Sequence, residues 1–305
     1  MTDPAGRAGR WTVALAVLLA GLAVGWVSWL AFGSGAGDER PAPSPSPTTE
    51  LTSGAADADD APGFADVAGS GKSSPPDPAS LPLTGLTVAL DPGHNGANAQ
   101  HPDQAGALVP DGRGGAKACN TVGTSTDAGY PEHAFTWDVA SRATTALEDL
   151  GARVVVTRVD DEGVGPCVDV RGGFAQAVGA DVLVSVHANG SDDCAAKGFF
   201  VIVADPPPVV EIDGPPRADD AASSERLATA MVGALASAGF TPSGSVAGAI
   251  SRRGDLATLN LAARPAVLLE LAEMRNPDEA ALASSEEGRQ RYADAIAAGV
   301  VAWAG

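Results

Sequence analysis

The chain has 305 residues, of which 45% are hydrophobic, and a formal net charge of −19. That length is well above the size at which a core becomes marginal. The acidic balance excludes a nucleic-acid binder, whose phosphate contacts demand Lys/Arg patches, and reads as solubility.

Residues 1–32 read as a targeting segment. Arg7 and Arg10 precede an apolar run from Trp11 to Phe32. As a helix that run is about 33 Å long, enough for a hydrocarbon core of roughly 30 Å. Signal-peptide apolar regions are shorter, about 7–15 residues. The length favours an uncleaved anchor, while the small residues from Gly33 to Gly37 leave room for a cleaved signal. The arginines keep the N-terminus cytoplasmic, and both readings export the rest. Membrane contact is expected through this segment if it stays uncleaved. Residues 33–80 are rich in Pro, Ser and Ala without apolar period, and Pro41 to Pro47 is an extended stretch. They read as a disordered tether.

The folded part is 81–305. Leu86 to Leu90 reads as a buried strand, ended by Pro92 and Gly93, with His94 directly after. The stretch 95–130 is long, polar and Gly-rich, without clear period. A helix opens at Pro131-Glu132 and runs to about Leu150. A strand over Arg153–Arg158, a polar loop and a helix over Val170–Val178 lead to the strand Val182–Val186, then His187. Phe199–Val203 reads as a strand, the Pro-rich stretch 205–220 as no long helix, and Ser223–Ala238 as a helix. The stretch 247–261 is ambiguous. Val267–Leu271 is a strand carrying Glu270, and Ser284–Trp303 a final amphipathic helix. Strands alternating with helices predict an α/β fold: one domain, with a mainly parallel central sheet flanked by helices.

Three strands thus end in His94, His187 and Glu270. In a parallel sheet such ends share one rim, where open α/β sheets bind ligands. Two imidazoles and a carboxylate are a common ligand set for catalytic Zn²⁺. Asp91-Pro92-Gly93-His94, Glu132 opening a helix, Ser185-Val186-His187-Ala188-Asn189, and Leu269-Glu270-Leu271 with Asn276-Pro277 together resemble the zinc-dependent N-acetylmuramoyl-L-alanine amidases of the amidase 3 type. These are peptidoglycan hydrolases. The resemblance runs from about Leu83 to Gly305.

The resemblance implies one zinc ion held by His94, Glu132 and His187, with Glu270 as general base. Read from its position alone, Glu132 is a favourable charge at a helix N-terminus. Glu273 departs from the small or apolar residue expected there and competes for the base role, with Glu270 preferred. His133 neighbours Glu132 but diverges from it by about 100° on the helix, so the two cannot easily share one metal. His101 is expected to be solvated. Of the three cysteines, related amidases suggest a Cys119–Cys167 disulfide, leaving Cys194 over; spacing alone leaves connectivity open. Arg253 is a candidate to hold a substrate carboxylate or carbonyl, with surface solvation the competing reading. Some family members carry a helical insertion that plugs the site, and 205–220 offers no candidate for one.

The implied substrate is peptidoglycan or a muropeptide, cut between N-acetylmuramic acid and L-alanine in the cell envelope, outside the cytoplasmic membrane. No protein partner can be inferred. Two rival readings are a zinc peptidase acting on another exported amide and a catalytically silent envelope protein on the same scaffold.

Overall fold

The computed structural model describes residues 81–205 and 218–305. The targeting segment and tether inferred above lie outside these residues, as does most of the Pro-rich stretch 205–220. Among the described residues no helix is long and apolar enough to cross a membrane.

The central sheet is built from β1 (Thr87–Pro92), β4 (Arg153–Val156), β5 (Val182–Asn189), β6 (Phe200–Ala204), β7 (Ile250–Arg253) and β8 (Ala266–Glu273). Its order is β4-β1-β5-β8-β6-β7. The first four strands run parallel, whereas β6 pairs antiparallel to β8, and β7 follows β6. The sheet is therefore mixed, and mostly parallel as expected. Val182–Val186 and Ala266–Leu269 are buried throughout, so both faces of the central strands are covered.

Helices α1 (Glu132–Asp149), α3 (Ala218–Ser237) and α5 (Glu286–Ala304) form one layer, with α5 packed against both α1 and α3. The approach of α5 to α3 is close: a Cβ on Gly299 would lie 2.4 Å from Met231 Sδ. Tyr292 of α5 stacks on Phe240 and meets Phe135 of α1 edge-on. Helix α2 (Val168–Val178) lies on β1 and packs against a single helical turn, Ala257–Asn260, which itself meets β6 and β8. Gly179, at φ 68, closes α2.

Three features go beyond the sequence reading. The expected final helix is present as α5, capped by Ser285, which accepts from Gly288, and a further helix precedes it: α4 (Pro277–Ser284), capped by Asn276, whose side chain accepts from the N–H groups of Asp278 and Glu279. The cap at Ser285 stops one helix and starts the next. The ambiguous stretch 247–261 resolves into β7 and the turn that follows. The long loop 95–130 contains a small hairpin, β2 (Leu108–Pro110) with β3 (Ala116–Ala118). Arg113 Nε donates to Asn260 Oδ1 at 3.0 Å, and Asn260 Nδ2 donates to Asp111 O at 2.8 Å, docking the hairpin on the 254–260 segment. A Cys119–Cys167 disulfide then ties the hairpin's exit to the start of α2. Closing a loop of that size contributes about 4 kcal/mol by chain entropy.

The exit of β1 is fixed by buried charge. Asp91 is fully buried, and its carboxylate accepts from Arg171 Nη1 at 2.5 Å, Ser185 Oγ at 2.6 Å and Thr157 Oγ1 at 2.6 Å. Burial alone would raise its pKa; Arg171 and the two hydroxyls outweigh that and hold it below the usual value. Arg171 also donates to the carbonyls of Pro92 (2.7 Å) and His94 (2.7 Å). Arg158, a second buried arginine, donates to those of Pro92 (3.0 Å) and Gly93 (3.3 Å). Arg171→Met strands the Asp91 charge and should cost about 3–5 kcal/mol in urea unfolding, most of it recovered in an Asp91→Leu/Arg171→Met double variant. Because the Asp91 pKa is depressed, this contribution should persist at neutral pH and fade only as pH falls below the ordinary Asp value near 4.

Candidate metal centre and catalytic cleft

His94 follows the Pro92-Gly93 turn in the left-handed region, at φ 59. That conformation is uncommon for a residue with a Cβ, although His tolerates it better than most. The clamp on its carbonyl from Arg171 holds it there. His94 Nδ1 lies 3.0 Å from Thr121 O. A carbonyl only accepts, so Nδ1 carries the proton and Nε2 turns its lone pair inward.

Three side chains from distant parts of the chain meet at that lone pair. His94 Nε2 is 3.1 Å from Glu132 Oε1 and 3.1 Å from His187 Nδ1, and His187 Nδ1 is 3.0 Å from Glu132 Oε1. Glu132 comes from the first turn of α1 and is aimed by two backbone donors. Ala188 N–H reaches Oε1 at 3.0 Å, and Thr124 N–H reaches Oε2 at 2.9 Å. The His187 ring is confined by Gly93, where a Cβ would lie 2.3–2.6 Å from three ring atoms.

Lone pairs from His94 and Glu132 facing each other at 3.1 Å repel unless a proton or a cation lies among them. Two nitrogens and a carboxylate oxygen, with the outer atoms of His94 and Glu132 tied to Thr121 O and Thr124 N–H, suit Zn²⁺. The residues present thus fit the metal. Among the described residues this is the group of His, Cys and acidic side chains close enough to hold one. Burial would raise the Glu132 carboxyl, but the two histidines hold it far below its usual value. Burial would lower His94 too, yet Glu132 outweighs it and raises the imidazole above its ordinary pKa. In His187 burial prevails and the pKa falls.

Glu270 lies on β8 directly opposite His187 in register. Its Oε2 is buried with no hydrogen-bond partner. Burial, reinforced by the nearby Glu132 charge, raises its carboxyl well above the usual range. The grouping of Glu270 with the histidines by strand ends alone is therefore revised: Glu132 completes the three-residue cluster, and Glu270 stands beside it. Glu273 is committed elsewhere, accepting from Asn189 Nδ2 at 2.5 Å and Ser191 N–H at 3.1 Å.

All four side chains line one cavity of about 350 Å³. Arg253 lines it too, 40% exposed and paired with Asp255 at 2.6 Å. His133 is turned away onto Asp161 at 2.7 Å. His101 is exposed, and Cys194 is exposed and free. Sequence reasoning missed Arg171, Arg158, Thr121 and Thr124. The available signal was Asp91 itself, since a carboxylate inside an apolar strand needs a cation.

Residues 88–302 match the family model described as N-acetylmuramoyl-L-alanine amidase. The chain is 42% identical over 220 residues to N-acetylmuramoyl-L-alanine amidase Rv3717 of Mycobacterium tuberculosis, covering 72% of this chain and 86% of that protein. It is similar to the crystal structure of the amidase Ami1 from Mycobacterium smegmatis, with TM-score 0.67, 42% identity, and 73% and 98% of the two chains covered. The apo Ami1 from Mycobacterium abscessus gives TM-score 0.65, 43% identity, and 72% and 99% covered. With the fold, the motif order and these likenesses in agreement, the chain belongs to the N-acetylmuramoyl-L-alanine amidase family.

Proposed function

We propose that this protein is a zinc-dependent amidase of the cell envelope. It cuts the amide between the lactyl group of N-acetylmuramic acid and L-alanine in peptidoglycan, in wall remodelling or recycling. The observation that carries this reading is the convergence of His94, Glu132 and His187 beside the unpartnered carboxylate of Glu270. The apolar segment 11–32 supports export, with the domain anchored at the membrane or secreted.

His94, Glu132 and His187 would hold the ion. Zinc, when bound, makes hydroxide available near neutral pH and polarises the amide carbonyl. Thr121 fixes the tautomer of His94, and the Ala188 and Thr124 amides keep Glu132 ionised and aimed. Glu270 takes the proton of the attacking water and returns it to the departing alanine nitrogen. Its raised proton affinity suits a group that must accept a proton before donating it. Glu273 does not serve as base, since both its oxygens are taken up in securing the turn after β5.

Glu270→Gln should lower kcat by about 10²- to 10⁴-fold while zinc stays bound at one ion per chain. The check is release of free L-alanyl amine from a defined muropeptide alongside metal analysis; wild-type turnover would remove Glu270 from the mechanism. Protons should compete with zinc for His94, whose pKa is raised, and not for Glu132, whose pKa is depressed. Zinc affinity should therefore fall as pH is lowered, by up to about tenfold per unit below the His94 pKa, in a chelator-competition titration between about pH 8 and pH 5.

A further inference from the structure

The cleft extends well beyond the metal cluster. By register, Arg253 at the end of β7 is level with Ala204, and Ile202 with Leu268. Because β6 and β7 run against β8, Arg253 lies about four strand positions, or roughly 13 Å, below Glu270 along the sheet. The same cleft is lined by the apolar residues Ala118, Val168, Leu256 and Leu268 and by two cations, Lys117 from the β2–β3 hairpin and Arg253 from β7. The Arg253 side chain reaches back from that strand position, and its charge acts on the Glu270 carboxyl. One residue orients both: Lys117 Nζ donates to Asp255 O at 2.6 Å, and Arg253 grips the Asp255 carboxylate at 2.9 and 2.6 Å. Both cations remain partly exposed to the cleft.

The chemistry of the bond decides which half of the substrate this arm takes. The lactyl carboxyl is consumed in the scissile amide, so the muramic acid side offers no free carboxylate beside it. The peptide side offers a methyl group on alanine and carboxylates beyond it. Apolar side chains and two cations in one cleft beside Glu270 suit that half of the substrate. A residue in extended chain spans about 3.5 Å, so a carboxylate on the residue after alanine stands about 7 Å from the scissile bond, and the long Arg253 and Lys117 side chains cover the remainder.

We infer that Lys117 and Arg253 form a specificity site that reads a free carboxylate on the residue following L-alanine. The inference rests on the amidase reading and deepens it. Asp255 positions the pair and yields part of its hydrogen bonding when substrate arrives.

The test compares two N-acetylmuramoyl-L-alanyl dipeptides, identical except that the second residue ends in a carboxylate or a carboxamide. Wild-type zinc enzyme should prefer the carboxylate by about 10- to 100-fold in kcat/KM, carried mainly by KM. In Lys117→Met and Arg253→Met the ratio should collapse towards one. In Lys117→Arg and Arg253→Lys it should survive, which separates charge recognition from a misplaced hairpin. Equal cleavage of both substrates by wild type overturns this inference alone, as does a preference that persists in both Met variants. Wild-type zinc enzyme that cleaves neither substrate overturns the amidase reading itself.

Discussion

The ion pair between Asp91 and Arg171 lies beneath the whole site. A carboxylate buried in a parallel sheet is costly unless matched, and here one guanidinium and two hydroxyls match it. The same guanidinium then reaches the carbonyls of Pro92 and His94. Arg158 reaches Pro92 and Gly93 from its own strand end. Consecutive carbonyls at the exit of β1 are thus held by two buried cations, and a histidine in a left-handed conformation is stabilised where it must point inward. Burial depresses the pKa of Arg158 to about 10, still far above neutrality, so its charge is retained. Electrostatics deep in the fold set the backbone, and the backbone sets the imidazole.

The site is assembled from parts of unequal legibility. His94 and His187 stand out in the sequence because each directly follows a short apolar run and precedes small turn residues. Parallel pairing of β1, β5 and β8 then brings their ends together, as the alternating pattern suggests. Glu132 is different. By position it is an ordinary acid in a helix's first turn, and only the family motif singles it out. What turns it inward is the pair of backbone amides from Ala188 and Thr124, which no spacing rule encodes. Asp91 announces a buried partner, yet with 19 Lys and Arg in the chain nothing local says which one answers.

The hairpin over 108–118 is the least legible part. Its strands are three residues long, and Leu108 is exposed, so neither period nor apolar content betrays it. It is held by contacts with residues near 260 and by the Cys119–Cys167 bond, all distant in sequence. The reversal at β6 is equally silent, since buried strands read alike in either direction. Yet these two features carry Lys117 and Arg253 to the cleft. Four parallel strands build the chemistry, and the reversed strands β6 and β7 with the hairpin shape what lies alongside it.

The absent side chain at Gly93 has a thermodynamic consequence. The His187 imidazole occupies the volume that a Cβ would fill on the neighbouring strand, so the two histidine-bearing strands interlock like a key and its slot. A ring so confined has little torsional freedom left to surrender, were it to become a ligand. Part of the entropy of assembling a coordination sphere there would be settled during folding, and the pocket would act as a receptor of fixed shape rather than one moulded by its guest.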